Sequence, residues 1–373
     1  MSRSLSGRLA AFLEAETRKP NPPFPGCVLV RGRPGAGREE TVAAGRRGLT
    51  RNVGDATPAL VYDLASLTKV LATTTMLMIS VDRGLLRTSD TLGEIFFGAA
   101  GPPARVGPPE PSTLSLTVER LLTHQSGLPP WRPYHDNPAL AGRGALLEAL
   151  LNEPPLSGPG EATVYSDLNF LLLGLVLEEL WGRDLAALFN ELVAAPLGLA
   201  STGYLPDPGR LTLAPTEDGF RPGGPPDYPG VPVRGPVPLG RPHDDNAAAL
   251  GGAAGHAGLF GTAGDVWKII GAYSLSLAGA EGALVKRGTA ADFLTPRRDL
   301  GGAPGRALGF DVGSGPLEGA LGHLGYTGGS FWWDPVRHRA FVFLCNRVHP
   351  TARGSQMGRF RLELADMLWG GDD

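Results

Sequence analysis

Apolar residues recur at helical spacing at Leu5, Leu9, Phe12 and Leu13, and prolines between Pro20 and Pro25 close that segment, so an N-terminal helix is predicted. Residues 27–31 and 40–44 read as two short strands around the turn-rich stretch 32–37. The glycines of that stretch lack the Gly-x-x-x-x-Gly-Lys pattern and lie between strands instead of opening a helix, which makes a hairpin turn and not a phosphate loop. From about residue 65 to 197 the pattern is mostly helical, with long segments at 66–83 and 168–180. Strand-like runs return at 306–312, 326–334 and 340–346, and Met357, Phe360, Leu364 and Leu368 mark a C-terminal helix. Strands at both ends around a helical middle predict an α+β fold, one sheet built from both termini with an inserted helical region. The whole chain, 1–373, reads as one unit, with sheet at about 1–60 and 255–373 and helices at about 61–254. No internal repeat is visible.

Composition narrows the class. Apolar residues make up 42% of the 373 and charged residues 19%, which is ordinary for a folded soluble protein. The formal net charge of −3, with Lys and Arg scattered, favours neither nucleic acid nor an anionic membrane as partner. Proline and glycine crowd residues 206–242, which can support neither a helix nor a central strand and read as a long surface excursion. The N-terminus has no uninterrupted apolar core of a signal peptide and no later segment could span a bilayer, so a cytoplasmic protein is expected; a removed signal would instead place it in the periplasm or outside the cell. Cys27 and Cys345 both lie in apolar strand-like runs, where free buried thiols are expected.

Three short segments carry chemistry. In Ser66-Leu-Thr-Lys69 the first and last residues share a helical face, so a helix opening at Ser66 sets hydroxyl and ammonium side by side. A serine becomes a competent nucleophile when a neighbouring base takes its proton, and a helix start adds N–H donors beside the developing charge. Taken alone, the motif reads as a helix N-cap followed by an exposed lysine. Tyr165-Ser-Asp167 stands just before the apolar segment 168–180, offering a phenol that cationic neighbours can push towards phenolate. Gly322-His-Leu-Gly-Tyr-Thr-Gly328 leads into Phe331-Trp-Trp-Asp334; small residues there let a substrate backbone approach, and exposed N–H groups can bind an oxyanion.

In this order and at these spacings the segments resemble the serine β-lactamase and penicillin-binding-protein superfamily, with its Ser-x-x-Lys, Tyr-x-Asn and Lys-Thr-Gly motifs. The resemblance is strongest to the class C-like branch, which includes esterases and D-amino-acid peptidases. Leu121-Leu-Thr-His-Gln-Ser-Gly-Leu-Pro129 and Gly251-Gly-Ala-Ala-Gly-His-Ala-Gly-Leu-Phe-Gly-Thr-Ala263 also resemble segments of that branch. The resemblance implies an antiparallel sheet flanked by terminal helices and packed on a helical region, with the site between them. It implies Ser66 as nucleophile, Lys69 and Tyr165 as proton-transfer partners, the backbone N–H groups of Ser66 and Tyr326 as oxyanion hole, and Asp167, His323, Leu324 and Gly325 beside the substrate. No metal or cofactor is implied, and the expected partner is a small amide or ester.

Two departures from the motifs bear on specificity. Asp167 replaces asparagine, placing a carboxylate near Lys69 that favours the ammonium and leaves Tyr165 as the operating base. His323 and Leu324 replace lysine and threonine, removing a permanent charge and a hydroxyl that help hold a substrate carboxylate. His323, if protonated, would hold anionic substrates until the pH passes about 6.5. His124 and His256 read as loop-packing residues, and His243-Asp-Asp-Asn246 lacks a second cluster at zinc spacing. Trp332 and Trp333 face opposite ways on a strand, one to core and one to line the cleft. The reading is a serine hydrolase forming an acyl-enzyme on a β-lactam, D-peptide or small ester. The alternatives are a carboxylesterase with little β-lactam activity and a non-catalytic penicillin-binding sensor. A classical α/β-hydrolase is disfavoured because Gly-x-Ser-x-Gly is absent.

Overall fold

The computed structural model describes residues 4–98, 111–218, 236–297, 305–352 and 356–370. Its strands, in chain order, are β1 (Gly26–Arg33), β2 (Arg38–Gly48), β3 (Gly54–Asp55), β4 (Tyr62–Asp63), β5 (Gly203–Tyr204) and β6 (Leu259–Gly261), followed by β7 (Asp311–Val312), β8 (Leu321–Leu324), β9 (Ser330–Asp334) and β10 (Arg339–Cys345). Seven of them form one antiparallel sheet in the order β3-β2-β1-β10-β9-β8-β7, so the first and last thirds of the chain meet at the β1–β10 pair. This is the α+β arrangement expected. The remaining three form a small sheet, β4-β6-β5, that the sequence pattern did not reveal because two of its strands are only two residues long.

Strand alternation gives the large sheet two apolar faces. Val28, Val30, Phe331, Trp333, Val342 and Leu344 face the helical body and join its core. Cys27, Leu29, Trp332, Phe341, Phe343 and Cys345 face the other way and are covered by Leu9 and Leu13 of the helix Leu5–Thr17 and by Phe360 and Leu364 of the helix Met357–Trp369. Each fully buried side chain of this kind stabilises the fold by roughly 1.5–3 kcal/mol. Both tryptophans are therefore core residues. Trp333 lies in the inner cluster, whereas Trp332 packs on the opposite face and lines a cavity of about 370 Å³ facing the C-terminal helix, where one of the two was expected to line the catalytic cleft. Cys27 stands opposite Cys345 in the β1–β10 register, and both are free, buried thiols. Burial pushes the Cys345 thiol up to about 12.

In the helical body, Asp167–Trp181 is the central helix, with every residue from Leu168 to Leu177 buried, which accounts for its being apolar all round. The helices Ala263–Ala278 and Arg287–Leu294 fall within the stretch expected to be sheet. In the first of these, Val266, Ile269, Ile270 and Tyr273 repeat at helical spacing, and the Thr262 side chain caps the Asp265 N–H. This helix packs beneath β1 and β10. The strand expected at 306–312 shortens to Asp311–Val312, with Arg306 making only isolated bridges, and the run expected from 326 begins as a turn and becomes strand at Ser330. Part of the Pro/Gly-rich stretch, residues 219–235, lies outside the described residues; its described flanks contain no helix. Among the described residues no helix is long and apolar enough to cross a membrane.

Candidate active site

A strained turn presents Ser66. Ala65 has a φ of 45°, a left-handed conformation unusual for a residue with a Cβ, and its N–H donates to Asp63 Oδ1 at 2.8 Å. The other carboxylate oxygen of Asp63 accepts from the His243 N–H at 2.7 Å, and its backbone carbonyl accepts from Thr327 Oγ1 at 2.7 Å. The Asp63 carboxyl thus ties the serine turn to the chain at His243, and its backbone carbonyl ties it to the turn after β8. The helix then opens, not as the continuous α-helix expected over 66–83, but as a π-helical stretch, Lys69–Thr74, followed by α-helix Thr75–Asp82. Thr74 and Thr75 hydroxyls donate to the carbonyls of Lys69 and Val70 at 2.8 and 3.0 Å, satisfying oxygens that the wider helix leaves less well paired.

Lys69 is fully buried. Its ammonium donates to Ser66 Oγ at 3.1 Å and to the His256 carbonyl at 3.1 Å, and stands 2.6 Å from an Asp167 carboxylate oxygen. Burial alone would lower its pKa, but the charge of Asp167 outweighs burial and holds it above the ordinary lysine value. It therefore stands charged at rest. Asp167 opens the central helix, where the helix dipole favours a carboxylate.

Tyr165, 38% exposed, sits over this cluster with its ring centroid 5.0 Å from Lys69 Nζ. Burial raises the phenol's pKa more than the Lys69 charge lowers it. The expected push towards phenolate is thus corrected: Tyr165 rests as a neutral phenol. Behind it lies His124, itself at a φ of 57° and fully buried, with its ring 4.6 Å from that of Tyr165 and its Nδ1 accepting from the Ser166 N–H at 3.0 Å. His124 packs a loop, as expected, and that loop seats Tyr165.

On β8, alternation separates two residues expected side by side. His323 turns inward, its ring 5.8 Å from that of Tyr165, with Nδ1 2.8 Å from the Leu324 carbonyl. It is buried, and burial lowers its pKa to about 4 despite the attraction of Asp311, with Lys69 and Arg306 also opposing a proton. The expected titration near 6.5 is therefore corrected, because a desolvated imidazole stays neutral. Leu324 turns the other way and lines the cavity shared with Trp332, Phe341 and Arg361, away from the lysine cluster. Gly325 opens the turn to Tyr326. Neither the Ser66 nor the Tyr326 N–H has a protein acceptor among the described residues. Arg361 of the C-terminal helix holds this turn, its Nη2 donating to the carbonyls of Gly325, Gly328 and Gly329 at 3.1–3.2 Å.

Sequence reasoning missed a second layer. Asp244 caps the short helix Asp245–Ala249 through the Ala247 N–H at 2.8 Å and stands 2.8 Å from His256 Nε2. His256 does more than pack: its carbonyl is an acceptor for Lys69, and the preceding Gly255 lies against the central helix so closely that a Cβ there would meet the Phe170 carbonyl at 2.0 Å. Asp167, Asp244 and His256 bring one ligand-type atom each within 4.8 Å of one another, but the Lys69 ammonium already stands among them as the compensating cation. Only the glycines around His256 hinted at this close approach.

Comparison with known proteins agrees with this architecture. The family described as Beta-lactamase matches residues 31–366. A protein of Escherichia coli O157:H7 that carries the name of a D-alanyl-D-alanine carboxypeptidase is 31% identical over 322 residues, covering 81% of this chain and 72% of its own. Among solved structures, EstCE1, a hydrolase with promiscuous acyltransferase activity, superposes with a TM-score of 0.73 at 24% identity, covering 98% of each chain. A class C beta-lactamase mutant superposes with a TM-score of 0.70 at 15% identity, covering 98% of this chain and 97% of its own.

Proposed function

The chain belongs to the beta-lactamase family and is a serine hydrolase, and from that premise we propose that it cleaves small neutral esters or peptide amides through an acyl-enzyme on Ser66. The observation that carries this reading is the Lys69 ammonium 3.1 Å from Ser66 Oγ, beside two backbone N–H groups, of Ser66 and Tyr326, that have no protein acceptor among the described residues. Ser66 attacks the carbonyl carbon, and the two N–H groups take the charge that develops on the carbonyl oxygen. Tyr165, whose ring lies over the Lys69 ammonium, hands a proton to the leaving group and afterwards helps activate the deacylating water. Asp167 and Gly325 flank the substrate, one beside Lys69 and the other on the turn. A non-catalytic sensor is disfavoured because nucleophile, lysine and tyrosine are all present.

Ester preference over β-lactams rests on His323 and Leu324. A β-lactam antibiotic carries a carboxylate, and hydrogen bonds to charged groups contribute about 1.5–3 kcal/mol each. A neutral buried His323 supplies no charge to it, and the Leu324 side chain is apolar and turned towards the C-terminal helix. The test compares kcat/KM for a p-nitrophenyl ester, a D-alanyl-D-alanine peptide and a chromogenic cephalosporin. Measurable ester turnover with weak cephalosporin turnover is expected; cephalosporin hydrolysis near the diffusional ceiling would overturn the preference. The variant carrying His323→Lys and Leu324→Thr should raise the cephalosporin-to-ester ratio, roughly tenfold for each restored 1.4 kcal/mol. In the unmodified protein that ratio should stay flat between about pH 6 and 8, because a histidine depressed to about 4 gains its proton only well below neutrality. A fall in the ratio centred near pH 6.5 would show that His323 is charged after all.

A further inference from the structure

The resting site poses a problem of proton balance. Ser66 must lose a proton to attack, yet Lys69 stands as an ammonium and Tyr165 as a neutral phenol, so neither neighbour of the hydroxyl is free to take it. The basic group closest to them is Asp167, whose carboxylate oxygen is 2.6 Å from Lys69 Nζ. Resting on the acyl-enzyme reading above, we propose that Asp167 is the terminal proton acceptor of acylation, taking a proton from Lys69 as Lys69 takes the proton of Ser66.

The step balances. The Oγ–H bond of Ser66 breaks as its oxygen pair forms the bond to the carbonyl carbon. One of the three Nζ protons moves to the Asp167 carboxylate, the lone pair this leaves on Nζ takes the Ser66 proton, and Lys69 ends the step as the ammonium it began. When the tetrahedral intermediate collapses, the proton on Asp167 returns through Lys69 and the Tyr165 phenol to the leaving oxygen or nitrogen. No charge leaves the site at either stage. Two short contacts in line, Ser66 Oγ to Lys69 Nζ at 3.1 Å and Lys69 Nζ to Asp167 at 2.6 Å, supply the path.

The pair lies inside the site. Lys69 is wholly buried and Asp167 only 18% exposed, so a proton moved between them stays out of bulk water and turns a buried ion pair transiently into two neutral groups with no change in net charge. Asp244 supplies a second negative charge beside Asp167, and is itself kept ionised by His256, which offsets the cost of its burial. The groups facing Asp167 are thus Lys69 from the serine helix, Tyr165 from the preceding turn, and Asp244 and His256 from the segment 244–256. An asparagine at 167 would accept a hydrogen bond from Lys69 in the same place but could not accept a proton.

Asp167→Asn is therefore the discriminating variant, because it is nearly isosteric and keeps that hydrogen bond. Its rate of Ser66 labelling by a fluorophosphonate and its burst of p-nitrophenol from an ester should fall about 10² to 10⁴-fold with little change in KM, the range for a lost acid–base partner. Asp167→Glu should recover part of the rate. In mixed light and heavy water, acylation by the unmodified enzyme should show the curved proton inventory of two protons in flight. The residual rate of the Asp167→Asn variant should show a linear one. Labelling of Asp167→Asn at or above the unmodified rate, or a linear inventory in the unmodified enzyme, would overturn the assignment. Absence of Ser66 labelling in the unmodified enzyme would instead sink the acyl-enzyme reading itself.

Discussion

Ser66→Ala is expected to abolish covalent labelling by fluorophosphonates and β-lactams and to reduce ester turnover to background. The neighbouring Lys69 cannot take over as nucleophile, since it is charged and held by Asp167 and the His256 carbonyl. The fold should survive. The serine hydroxyl makes one hydrogen bond to Lys69, whose other two acceptors remain, so the loss is roughly 0.5–1.5 kcal/mol. Intact mass after incubation with the probe, paired with thermal melting, is the measurement. A folded Ser66→Ala protein that still gains the probe's mass would remove Ser66 from its role.

Tyr165→Phe and Lys69→Ala should each lower turnover by about 10² to 10⁴-fold, but they should part company in stability. The Tyr165 ring is 38% exposed and keeps its packing on His124 when only the hydroxyl is removed, so melting should barely move. Lys69→Ala strips the counter-charge from Asp167, with Asp244 close by, and removing one partner of a buried pair costs about 3–5 kcal/mol. At this size each such kilocalorie shifts the melting temperature by about 2 °C, so the loss amounts to several degrees. Measuring kcat and melting temperature on both variants separates the two. Tyr165→Phe at full turnover would rule out the proton-shuttle role, and an unshifted melting point for Lys69→Ala would mean the ion pair with Asp167 does not hold in solution.

Much of the architecture was legible in the chain because it rests on local periodicity. Both terminal helices carry a repeat of 3.6, and the strand at 27–31 and the helix from 168 are continuous apolar runs that a few residues suffice to expose. Short strands such as Tyr62–Asp63 and Gly203–Tyr204 carry no repeat, and the helix Ala263–Ala278 was submerged in a stretch assigned to sheet. The motif order brought Ser66, Lys69 and Tyr165 to notice, and the fold then hydrogen-bonded Lys69 to Ser66 and laid the Tyr165 ring over the ammonium.

What the sequence by itself determined is which groups are available: a serine three residues before a lysine, a tyrosine two before an aspartate, a histidine where a lysine would hold a carboxylate. Their charge states were decided only by tertiary structure. A pKa answers to solvent exclusion and to charges within a few ångströms, and those neighbours come from distant parts of the chain. His323 is neutral because the fold buries it beside Arg306 and Lys69, and Tyr165 stays a phenol because burial outweighs its cationic neighbour. Lys69 stays an ammonium because a helix beginning 98 residues later delivers Asp167 to its side, giving 167 − 69 = 98. The pair Asp244 and His256, invisible as a motif, reaches the same point because Gly255 lets its backbone lie directly on the central helix.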